Sequence, residues 1–69
     1  MSKKKKERLR VQLIVSTNMG QILVAINGKY YEYWLDAALI PRIEYLLYNH
    51  RNKEALDLIK QKARRYEKV

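Results

Sequence analysis

Between Arg10 and Leu35 apolar and polar side chains alternate with a period of two, and the alternation is cut twice by turn residues. Val11, Leu13 and Val15 point one way, with Arg10, Gln12, Ile14 and Ser16 on the other side. After Asn18-Met19-Gly20, Ile22, Val24 and Ile26 repeat the pattern, and after Asn27-Gly28 it returns in Tyr31, Tyr33 and Leu35. Asn-Gly between two such runs is the strongest short-range hairpin signal, because a two-residue type I′ loop needs φ > 0 at both central positions. That loop sets Ile26 opposite Lys29, Val24 opposite Tyr31 and Ile22 opposite Tyr33. A Gly20 turn aligned with it sets Val15 against Ile22, Leu13 against Val24 and Val11 against Ile26. Both turns choose the same apolar face, and such agreement between local and global preferences marks a foldable pattern.

Past Asp36 the period lengthens to about three and a half. Asp36 suits the N-cap of a short helical turn, and Pro41 disfavours helical geometry at Ile40 and suits a fresh helix start. Ile40, Ile43, Leu46 and Leu47 form an apolar stripe; Asn49 to Asn52 ends it, with Asn52 as the next N-cap. Ala55, Leu56, Ile59, Ala63 and Tyr66 then mark one face of a second helix. The expected fold is α+β: a three-stranded antiparallel β-meander (about 10–17, 21–27 and 29–35) covered on one face by an αα-hairpin (about 41–49 and 52–67). Residues 1–8 are expected to be a disordered basic arm and 9–69 a single compact β-β-β-α-α domain.

Charge changes the picture from fold to function. The chain of 69 residues carries 15 Lys and Arg against 7 Asp and Glu, a net charge of +8, and its pI is about 9.9. So dense a positive charge favours polyanionic partners, nucleic acid first and an acidic membrane or an acidic protein surface next. All the cations except Lys29, Arg42, Arg51 and Lys53 fall at the two ends: Lys3, Lys4, Lys5, Lys6, Arg8 and Arg10, then Lys60, Lys62, Arg64, Arg65 and Lys68. The dipole of a helix C-terminus accounts for one or two of the later group, not five. These eleven residues are the candidate phosphate contacts.

Four aromatic residues lie within five positions, Tyr30, Tyr31, Tyr33 and Trp34, and alternation divides them. Tyr31 and Tyr33 fall on the core face as packing residues. Tyr30 and Trp34 fall on the other face with Ile14 and Leu23, as a base-stacking platform, a homodimer surface or plain cross-strand packing. Glu32, between Tyr30 and Trp34, weighs against stacking because it repels phosphate.

Catalytic chemistry has little to work with. Cysteine is absent, His50 is the only histidine, and neither glycine sits in a phosphate loop. No enzymatic role, cofactor or metal is expected. No apolar run reaches the roughly 18–20 residues of a membrane span, and a cytoplasmic or other intracellular setting is expected. The sequence therefore points to a small non-enzymatic nucleic-acid-binding protein, DNA or RNA, that self-associates. The alternative is a compact regulator or inhibitor, viral or phage-encoded, docking on an acidic protein.

Overall fold

The computed structural model describes residues 8–69. Its elements are β1 (Val11–Ser16), β2 (Gln21–Ile26), β3 (Lys29–Trp34), a 3-10 turn (Ala37–Leu39), α1 (Ile40–Tyr48), α2 (Asn52–Lys62) and β4 (Arg65–Lys68). The strands form one antiparallel sheet in the order β1-β2-β3-β4. The helices cover one face. Val11, Ile22, Val24, Tyr33 and Leu35 of the sheet side meet Ile40, Ile43, Leu56 and Ile59 of the helices in a single buried cluster.

The β2–β3 hairpin has the register expected of Asn27-Gly28, pairing Ile22 with Tyr33, Val24 with Tyr31 and Ile26 with Lys29. Both turn residues have positive φ, 50° and 87°. The Asn27 side chain and main chain also bond Arg10: Arg10 N–H donates to Asn27 Oδ1 at 2.8 Å, and Asn27 N–H donates to the Arg10 carbonyl at 2.9 Å. The hairpin turn thereby anchors the entry to β1.

The β1–β2 pairing starts as expected, Val11 with Ile26 and Leu13 with Val24, but then slips. Ile14 is an extra residue, so Val15 pairs with Leu23 and Ser16 with Ile22. One inserted residue reverses which face the following side chains occupy. Val15, expected on the core face, is instead 52% exposed. The connecting loop is closed by Thr17, whose Oγ1 accepts from the N–H groups of Met19 and Gln21 at 3.3 and 3.2 Å. Gly20 completes it with φ of 89°.

The larger correction concerns the C-terminus. The second helix, expected to run to residue 67, ends at Lys62. Residues 65–68 are a fourth strand, pairing Arg65 with Trp34, Tyr66 with Tyr33 and Lys68 with Tyr31. The meander therefore has four strands and not three. Arg64 N–H donates to the Trp34 carbonyl at 2.7 Å and Val69 N–H to the Tyr30 carbonyl at 3.1 Å, so the ladder extends past both ends of the strand. An unpaired β3 edge would leave these carbonyls to water alone, and pairing offers them a regular partner.

Two helix boundaries also differ. Ile40 has helical dihedrals, so the 3-10 turn runs straight into α1 without the break expected at Pro41. Asp36 does cap that turn, accepting from Ala38 N–H at 3.0 Å. At the far end of α1, His50 takes the left-handed conformation (φ 61°). Its N–H donates to the Leu47 carbonyl at 3.0 Å, and Arg51 N–H donates to the Leu46 carbonyl at 2.8 Å. That bonding is the Schellman motif, with histidine where glycine is usual. Asn52 is not an N-cap; its Nδ2 donates to the Leu9 carbonyl at 2.9 Å, tying the chain entering β1 to the start of α2.

Candidate nucleic-acid interface

Because β4 lies beside β3 on the sheet's far edge, Tyr66 joins Tyr33 and Tyr31 on the face the helices share. The Tyr66 and Tyr31 rings are stacked, centroids 5.9 Å apart and planes at 23°, and the Tyr66 and Tyr33 centroids are 5.2 Å apart. Offset pairs at these separations are favourable for aromatic quadrupoles. Tyr33 is the buried member, while half of Tyr66 stays exposed. Burial pushes the Tyr33 hydroxyl above the ordinary tyrosine value, and the neighbouring Tyr66 and Tyr31 raise it further.

Between these rings and the end of α2 lies a cavity of about 520 Å³. Strands β3 and β4 supply Tyr31, Tyr33, Arg65 and Tyr66; the end of α2 and the link after it supply Lys60, Ala63 and Arg64; Ile26 closes the side toward β2. No carboxylate lines it. Lys60 and Arg64 make no ion pair among the described residues, where the salt bridges are Arg51–Glu54, Lys53–Asp57 and Arg65–Glu67. The groove thus offers two uncompensated cations beside a tyrosine cluster.

Arg65 behaves differently. It borders the groove, yet its guanidinium lies 4.7 Å from the centre of the Trp34 ring and 3.6 Å from Glu67 Oε2, on the sheet's other face. A guanidinium over an indole is a favourable cation–π pair, worth about 0.5–1 kcal/mol when exposed. That face is uncovered by helices. Tyr30 lies beside Ala25 and Trp34 beside Gln21, as alternation requires, and Leu23 and Glu32 sit between them. β4 adds Glu67 directly opposite Glu32. Two carboxylates at the middle of the open face repel a phosphate backbone, so the stacking role first considered for Tyr30 and Trp34 fits this face poorly. Ile14 (46% exposed), Val15 and Tyr30 (49%) give it an apolar character at the β1 side and the hairpin end.

The remaining candidate cations are scattered. Lys3, Lys4, Lys5 and Lys6 lie outside the described residues. Arg8 and Arg10 are exposed near the start of β1, and Arg10 borders a second cavity of about 390 Å³ with His50 and Asn52. Lys62 and Lys68 are exposed, at the last turn of α2 and on β4. β1 and β4 are opposite edges of the sheet, three inter-strand steps of about 4.8 Å apart. Of the described cations of the two chain ends, Lys60, Arg64 and Arg65 line the groove, while Arg10 lines the second cavity.

The packing expected of Tyr31 and Tyr33 is found in the core cluster, and Tyr66, expected on a helix face, packs on both from β4 beside Lys60 and Arg64. A clue is present in the sequence: Arg65 to Lys68 contains one apolar ring in an otherwise charged stretch, a poor continuation for a buried helix face. Among the described residues no group of three or more His, Cys, Asp or Glu side chains is placed to hold a metal ion, and no helix is long and apolar enough to cross a membrane. The chain matches no known family, no curated protein and no solved structure.

Proposed function

We propose that the chain is a small, non-enzymatic, intracellular nucleic-acid-binding protein whose working surface is the groove between the end of α2 and β3–β4. The observation that carries this reading is the pairing of Lys60 and Arg64 with the tyrosine cluster in one cavity that no carboxylate lines. Cations neutralise phosphates and aromatic faces accept unpaired bases, so a groove that holds both can meet the two recognisable parts of a nucleotide. A binding role also fits His50, whose backbone is committed to ending α1 and which stands outside the groove.

Titration of the full chain with labelled nucleic acid over a range of salt concentrations tests the reading. Affinity should fall linearly in a log–log plot against salt, and replacing both Lys60 and Arg64 by Ala should flatten the slope by about 1.4 on single strands or about 1.8 on duplex. Absence of any association at low salt would sink it.

A second reading, a regulator docking on an acidic protein, draws on the exposed Ile14, Val15 and Tyr30. Apolar contacts there would also serve self-association. Light scattering of the protein alone separates a homodimer from a monomer awaiting another partner.

A further inference from the structure

We propose that the tyrosine groove seats an unpaired base, so that the protein selects single-stranded over duplex nucleic acid; this rests on the nucleic-acid reading above. Tyr66 supplies the reason. Its ring is held by Tyr31 and Tyr33, at 5.9 and 5.2 Å, while half of its surface remains open. A ring braced by its neighbours loses little further freedom when a ligand stacks on it, which is how rigid aromatics contribute affinity cheaply.

The cavity, at about 520 Å³, falls in the range of about 300–1,000 Å³ typical of small-molecule sites. It suits a base with its sugar. A base within a duplex shows only its edges in the grooves, its faces being covered by neighbouring pairs. Only an unpaired base can present the face that Tyr66 would accept.

Charge placement agrees. Lys60 and Arg64 line the same cavity as the rings, where they can meet the phosphates next to a seated base. Glu32 and Glu67, the sheet's central carboxylates, pair with each other in register on the opposite face. The sheet thus separates its repulsive charge from the groove. Pure electrostatics would favour the duplex, which releases more counterions per contact, so preference for single strands isolates the stacking contribution.

The test is an anisotropy titration of the full chain, in dilute buffer, with labelled RNA and DNA single strands of about 12 nucleotides. The same strands annealed to their complements form the comparison. Either single strand should bind at least about fivefold tighter than its duplex, one stacked base being worth about 5- to 150-fold. Tyr66→Leu should remove that advantage, and Tyr66→Phe should retain it. Equal affinity of the unsubstituted protein for both forms overturns the inference while leaving the phosphate reading intact, whether or not the leucine variant folds. Survival of the preference in a folded Tyr66→Leu protein overturns it as well. Failure of every nucleic acid to bind takes both readings down together.

Discussion

At Gly20 a single added carbon decides whether the fold closes. A Cβ built there would lie 1.8 Å from the Leu35 carbonyl oxygen, and the φ of +89° is itself hostile to side chains. Gly20→Ala should cost more than about 3 kcal/mol, because either the loop or the end of β3 must move. Gly28 has nearly the same φ, +87°, but faces open space. Its replacement by Ala should cost only the conformational strain, about 1–2 kcal/mol. Chemical denaturation of the two variants side by side checks the contrast. His50→Gly should act in the opposite sense, raising stability by about 0.5–1 kcal/mol by relieving a left-handed histidine at φ 61°. Tyr33 adds a pH dependence. Its folded-state value is raised, so its contribution is intact below the ordinary tyrosine value of 10.0 and is lost as pH climbs above it. Melting temperatures recorded from neutral pH into the alkaline range should fall less steeply for Tyr33→Phe than for the unsubstituted protein.

Among the elements, β4 does most for its length to build the proposed groove. Truncating the chain after Ala63 removes the ladder bonds to β3 and the Tyr66 stack, a loss of about 2–4 kcal/mol. The bared β3 edge should also promote association, visible by light scattering beside a lowered melting point. This strand was hidden in the sequence for a physical reason. From Ala55 through Ile59 and Ala63 to Tyr66 the spacing stays helical, so periodicity alone extends α2 by one more turn. The chain leaves the helix at Ala63, whose ψ is 133°, because β3's carbonyls offer Arg64 and its successors a long-range partner. In the sequence only the single apolar ring among the charges of Arg65 to Lys68 hints at that offer. The β2–β3 hairpin was legible for the converse reason, its register being settled by two adjacent residues whose backbone preferences are intrinsic. The Ile14 bulge was concealed because Val11, Leu13 and Val15 alternate faultlessly through it. The site followed the same division: Lys60 and Arg64 could be suspected from charge, whereas the three tyrosines become a cluster only once β4 is paired.

For the molecule as a whole, one small core holds the sheet and both helices. A domain of this size has roughly 3–10 kcal/mol of stability to lose. Ile59 is fully buried in that core, and Ile59→Ala should remove about 2–5 kcal/mol, enough to leave much of the population unfolded. Urea unfolding followed by circular dichroism measures it directly. Net charge of +8 sharpens the point, since self-repulsion in dilute buffer works against compactness and a bound polyanion relieves it. Adding oligonucleotide should therefore raise the melting temperature, an effect that fades as salt is added.

The extra residue at Ile14 has a bearing on assembly. A bulge increases local twist and interrupts the regular row of main-chain donors and acceptors along that margin. The sheet is left with two unlike borders, one kinked at β1 and one regular at β4. Contact through like borders can close into a pair, while growth into a ribbon needs both borders to dock in succession. A chain kinked on one side is guarded against fibre formation even at the high local concentrations that binding along a shared strand would create.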